Sequence, residues 1–209
     1  MKKLLFGFVI LVLLALVGCS QKEDSSNIAK LKDNPIESIA SIEDQISDDD
    51  YDSMMNFGKA FVNLYTGAVA KQETVSFEHY ILNENLLKFT NKMLELEQKQ
   101  DLIGGMGVNF GLENEFKEAE YQQLDEDLYY LSLTFSNQGS GMSCKLLVQS
   151  DNKSLKIVDL YFGNKDGVDT VATGHPAVRK VDNPKLWDDP KWVDEVFEKL
   201  EKYESELSS

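Results

Sequence analysis

The chain has 209 residues, with 36 acidic against 21 basic side chains and a formal charge of −15 at neutral pH. So acidic a surface repels phosphate backbones and anionic headgroups, which argues against a nucleic-acid partner. Two cysteines and two histidines leave little for a disulfide framework or a histidine-built metal centre, and an aromatic content of 10% at this length suffices for one domain with a full core.

In chain order, Lys2 and Lys3 precede an apolar run from Leu4 to Val17, followed by Gly18 and Cys19. The run falls short of the about 20 residues that a membrane span needs. A positive start, a short apolar segment and a small residue before the break describe a secretory signal peptide. The tetrapeptide Leu16-Val17-Gly18-Cys19 resembles the lipobox of bacterial lipoproteins. That resemblance implies a diacylglyceryl group on the Cys19 thiol, cleavage of residues 1–18 and a membrane held through lipid at the extracytoplasmic face. Each buried methylene contributes about 0.8 kcal/mol, and two chains together anchor stably. Cleavage leaves 191 residues with 19 basic and 36 acidic side chains, a formal charge of −17, so lipid and not basic contact is the expected tether. Cys144 is then the remaining thiol, and no internal disulfide is expected.

Residues 19–52 are the lipidated N-terminus and an acidic tether, too polar to bury a core of their own. Within them Asn34, Pro35 and Glu37 mark a helix start, and Ile36, Ile39, Ala40 and Ile46 a short apolar face. The run Ser47 to Asp52 opens like a calcium loop, but Ser53 replaces its glycine and Lys59 its bidentate glutamate, so a solvated linker is expected. A single α+β domain is expected over 53–209. Met54, Phe57, Phe61, Leu64, Tyr65 and Ala68 recur at helical spacing, with Asp52 or Ser53 as cap. Asn83 caps a second helix with Leu86, Leu87, Thr90, Met93, Leu94 and Leu96 or Glu97 on its stripe. Between them, residues 74–82 suit a brief strand or turn.

Alternation then replaces the helical period: weakly at Val108, Phe110 and Leu112, strongly at Tyr129, Leu131, Leu133 and Phe135, and again at Met142, Cys144, Leu146 and Val148. Residues 154–162 are apolar on both faces, as in a covered strand. Turn signals at 124–127, 137–141 and 151–153 join the four strands into an antiparallel meander. Val168 to Ala172 and Ala177 to Val181 are candidates for extra strands in the long segment 163–187. Asp189 and Pro190 open a closing helix with Val193, Val196, Phe197, Leu200 and Tyr203 on one face, and Glu195–Lys199 and Glu198–Lys202 at ion-pair spacing. Two N-terminal helices packed on a bent four-stranded meander, with residues 57–89 leading into the strands, resemble the NTF2-like fold. A cystatin-like arrangement shares the element order.

No standard active-site pattern is present. The glycines at 104, 105 and 107 lack a following Gly-Lys-Ser/Thr, Ser140 and Ser143 sit at a hairpin, and His79 and His175 stand outside any zinc motif. Cys144, among strand apolars, reads as an inert buried thiol. Asn164, Asp166 and Asp169 do not fit calcium-loop spacing and read as a turn, so neither metal nor cofactor is expected. Asp159 is the weak catalytic candidate: strand alternation places it with Leu155, Ile157 and Tyr161, where a carboxylate would titrate high. The NTF2-like resemblance implies a pocket of that kind in isomerases, with Tyr161 or His175 assisting. The expected function is a membrane-anchored, non-catalytic protein- or peptide-binding module of the cell envelope. The alternatives are a small pocket isomerase and a carrier of a small apolar ligand. As a binding module, the domain should lose on the order of 1 kcal/mol on Asp159→Asn.

Overall fold

A computed structural model describes residues 50–102, 111–151, 154–164 and 167–208. The lipobox, the tether helix at 34–46, Val108 and Phe110 lie outside them. The described chain is α+β: helices α1 (Asp50–Lys71) and α2 (Glu84–Leu102), strands β1 (Asn114–Asp125), β2 (Leu128–Asn137), β3 (Ser140–Ser150) and β4 (Leu155–Phe162), the short helix α3 (Val168–Thr173), one 3-10 turn (Leu186–Asp188), and helix α4 (Pro190–Leu207). No described helix is long and apolar enough to cross a membrane.

The strands form one antiparallel sheet in the order β1-β2-β3-β4. Cross-strand rows define its inner face: Phe116, Phe135 and Met142; Ala119, Leu133, Cys144 and Phe162; Tyr121, Leu131, Leu146 and Leu160. These side chains join the apolar faces of α1 and α2 in one core. Its centre is aromatic, with Tyr65 stacked on Phe162 at 4.7 Å and Phe61 packed among Phe77, Tyr80 and Phe162. All five rings are almost wholly buried.

Helix α1 lies on β2 because Gly58 lets it. A Cβ there would overlap the Leu131 side chain and stand 3.1 Å from Leu133 Cδ1. The helix already runs at Asp50, so Asp52 and Ser53 lie inside it and do not cap it. Asn83 does cap α2: its Oδ1 accepts from the amides of Asn85 at 3.0 Å and Leu86 at 3.1 Å. Between these helices residues 77–81 turn, and Ile81 forms a parallel bridge to Ile157, with the Ile157 amide donating to the Tyr80 carbonyl at 2.8 Å. That bridge occupies the outer edge of β4.

The first strand is displaced from its expected place. It runs over 114–125, and Leu112 is 67% exposed before it begins. A register shift between Phe116 and Glu118 breaks its alternation, which is why a period-two reading passes over it. The β2–β3 hairpin turns through Gln138 (φ 49°) and Gly139 (φ 81°), two successive left-handed residues as a two-residue hairpin requires. The expected strands at 168–172 and 177–181 are absent. Val168 to Thr173 is helical, stopped by Gly174 at φ 114°, and residues 175–179 form a turn closed by the His175 carbonyl. Packing of α3 against β4, α2 and α4 outweighs the strand preference of its valines. Asp189 caps α4 through the amides of Lys191 and Trp192, with Pro190 at the first position. On α4, Glu195 pairs with Lys191 and Lys202 with Glu206, in place of the expected Glu195–Lys199 and Glu198–Lys202.

Candidate functional site

Strand β4 carries the residue on which a catalytic reading depends, and its local geometry overturns the expected placement. In the ladder Leu147 opposes Asp159 while Val148 opposes Ile157, so Val158 is an extra residue, a β-bulge. The bulge reverses which side of the strand faces the core. Leu155 and Ile157 lie in the main core with Leu160 and Phe162, whereas Tyr161 joins Leu147 and Val181 in a small cluster on the other face. Asp159, opposite Leu147, goes with Tyr161 and away from Leu155 and Ile157.

The chain then closes over that face. From α3 it passes through residues 174–181 and crosses to Trp187, whose ring packs on Phe89 of α2 at 4.8 Å. Asp159 is fully buried beneath this strap. Its Oδ1 accepts from Arg179 Nη2 at 2.6 Å, from Trp187 Nε1 at 2.8 Å and from the Leu160 amide at 3.0 Å. Burial pushes the Asp159 carboxyl up, and the Arg179 charge with the three donors pulls it back. The Arg179 guanidinium, itself 7% exposed, lies 5.5 Å from the Trp192 ring centroid and donates to the Lys180 carbonyl. Asp159, Arg179, Trp187 and Trp192 thus form a closed clasp that ties the strap to β4.

Neither expected assistant reaches Asp159. The Tyr161 hydroxyl donates to the Gly174 carbonyl at 3.0 Å and shares a hydrogen bond with Thr170 Oγ1 at 2.9 Å, so it serves to hold α3. Burial raises its phenol above the ordinary value. His175 is exposed, and its Nδ1 accepts from the Ala177 amide at 3.2 Å within its own turn. The three candidates therefore do not assemble into an acid–base site. Cys144 is fully buried, and its thiol is held well above the usual value by burial first and by the Asp169 charge second, so it is not a nucleophile. Cys19 lies outside the described residues.

A second group of buried polar side chains lies on α2 and α3, which pack on each other. Glu97 of α2 is 2% exposed, and its Oε2 accepts from the Tyr65 hydroxyl at 2.9 Å. Asp169 of α3 is fully buried, and its Oδ1 accepts from the Thr170 amide at 2.8 Å. Glu97 Oε1 and Asp169 Oδ2 have no hydrogen-bond partner among the described residues. Within those residues no group of three or more His, Cys, Asp or Glu side chains is arranged to hold a metal ion.

Two of these partners escape a reading by periodicity, yet one carries a signal. Arg179 is the single arginine among the 21 basic residues. In a chain that otherwise uses lysine, a lone arginine marks a place where a planar, weakly hydrated cation is needed inside. Trp187 carries no such mark, since its donor role depends on a fold-back across the edge of β4. Searches for similar proteins add nothing further, because no protein-family model, curated protein or solved structure matches the chain.

Proposed function

We propose that this chain is a bacterial lipoprotein, cleaved ahead of Cys19, anchored by a diacylglyceryl group at the extracytoplasmic face, and presenting its α+β domain as a non-catalytic protein- or peptide-binding module. The finer fold reading that goes with it is NTF2-like, with α1 and α2 preceding a four-stranded meander. The observation that carries the non-catalytic part is the fate of Asp159. The one candidate base legible in the sequence accepts three hydrogen bonds on one oxygen, one of them from Arg179, and lies fully buried under the strap. A general base needs reach to a substrate proton, and this carboxylate is spent on holding the fold. The aromatic packing between α1 and the sheet supports the same reading against a carrier, since Phe61, Tyr65, Phe77 and Phe162 fill the space an apolar ligand would take. The acidic surface favours a neutral or basic partner and disfavours nucleic acid.

The test has two arms. Mass spectrometry of the protein from membranes should find Cys19 at the mature N-terminus carrying acyl groups, and Cys19→Ala should leave unprocessed precursor. A mature terminus elsewhere without an acyl group would sink the anchor. For the domain, titration with an apolar fluorescent probe such as anilinonaphthalene sulfonate should give no stoichiometric site. Site-specific photocrosslinkers at the exposed Leu82 and Val178 in intact envelopes should yield a discrete protein adduct. One tight probe site per chain, with no adduct at either position, would shift the reading to a carrier or a pocket enzyme.

A further inference from the structure

Glu97 and Asp169 are two carboxylates on different helices, each removed from water, and each with one oxygen that finds no donor among the described residues. No lysine, arginine or histidine is ion-paired to either among those residues. The charged and titratable groups around them are accounted for element by element. From α1 comes the Tyr65 hydroxyl, spent on Glu97 Oε2. From β3 comes the Cys144 thiol, which is neutral, and from β4 the Phe162 amide, which leans toward Asp169, and the Tyr161 phenol, whose hydroxyl is spent on Thr170 and Gly174. From α4 comes Lys199, exposed, with Nζ at 3.4 Å from the Ala172 carbonyl, while Tyr203 bonds Gln100 and Glu204 pairs with Lys92 and Lys99. Arg179 is engaged by Asp159. A buried carboxylate without a cation is stable as the acid, because desolvation penalises the charge far more than the neutral form.

We propose that Glu97 and Asp169 form a buried proton-binding site, and that its protonation locks α3 and the strap behind it onto α2. The titration behaviour agrees with this placement. Burial lifts Glu97 to about 7, against the pull of the Tyr65 hydrogen bond. Asp169 is raised well above its ordinary value by burial first and by the Glu97 charge second. For an acid whose folded pKa lies above its unfolded one, stability is full below the unfolded value and falls as pH rises through the folded value. The window for Glu97 therefore runs from its ordinary 4.5 to about 7. Asp169 extends it upward. Ionisation leaves an uncompensated charge on each of two packed helices, one of them α3, the shortest helix of the described chain.

Denaturant unfolding of the full chain between pH 5 and 8 tests this, with amide hydrogen exchange over Val168–Thr173 as the local readout. Ordinary carboxylates are ionised by pH 5, so the slope above it reports carboxyls raised by burial, and the Glu97 and Asp169 variants separate this pair from Asp159. The folding constant should fall on the order of 100-fold across this range, and protection of α3 should fall at least as much. Glu97→Gln should remove most of the fall and make the protein at least tenfold more stable than wild type at pH 8, and Asp169→Asn should act in the same direction. A wild-type profile flat from pH 5 to 8, or an unchanged slope in Glu97→Gln, overturns the proposal. If neither variant folds, carbon NMR of the wild-type carboxyls decides: Glu97 titrating near its ordinary value refutes the site, and titration near neutrality supports it.

Discussion

At Asp159 one carboxylate oxygen takes three donors while the other takes none among the described residues. What matters energetically is the cation. Replacing one member of a buried pair leaves the other charge without a partner, and that costs about 3–5 kcal/mol, far more than one adjusted hydrogen bond. The expectation of about 1 kcal/mol for Asp159→Asn, which the strand pattern alone suggests, is therefore too small, because strand periodicity says nothing of Arg179 folding back. We predict a loss of about 3 kcal/mol or more for Asp159→Asn in urea unfolding, with most of it recovered in Asp159→Asn/Arg179→Met. A single variant as stable as wild type would mean that the clasp is not ionic in solution. The raised carboxyl of Asp159 is thus the mark of a structural pair, and a high pKa in a buried strand position does not by itself identify a base.

Among the elements, α1 offers the sharpest contrast, because two glycines of the same helix have opposite surroundings. Gly58 faces Leu131, Leu133 and Leu146 at contact distance, whereas a Cβ at Gly67 would meet nothing within 4 Å. Gly58→Val should destabilise the domain by about 2 kcal/mol, since the leucines it strikes are fully buried and must move to admit it. Gly67→Ala should stabilise it by roughly 0.5–1 kcal/mol through helix propensity. Thermal unfolding of both variants checks the pair, and an equal sign for the two would contradict the close approach of α1 to β2. The elements most legible in the sequence were those with an uninterrupted period. The stripe from Met54 to Ala68, the rows of β2 and β3, the Asn83 cap and the Asp189-Pro190 start of α4 all follow from spacing and capping chemistry. Three features did not. Strand β1 has a broken alternation at Phe116 and Glu118 and an acidic outer face, so its pattern resembles loop. The bulge at Val158 moves Asp159 to the other face with no local sequence sign. Residues 168–173 are helical where their valines favour strand, because long-range packing on β4, α2 and α4 decides it.

For the whole molecule, the composition of residues 20–49 is too polar for a core, so their deletion should leave the melting temperature of the remaining chain unchanged. A clear fall, measured by calorimetry, would mean that the apolar face of Ile36, Ile39 and Ile46 rests on the domain. The clasp has a different kind of consequence, for the order in which the chain can finish folding. Arg179 and Trp187 follow Asp159 by 20 and 28 residues, and Trp187 also completes the packing of Phe89. A chain synthesised only as far as Phe162 has every strand of the sheet but holds an unpaired carboxylate on its last one and an uncovered phenylalanine on α2. Completion of the clasp waits for these later residues, so a chain ending at Phe162 is expected to close over Asp159 only once the segment through Trp187 has been added.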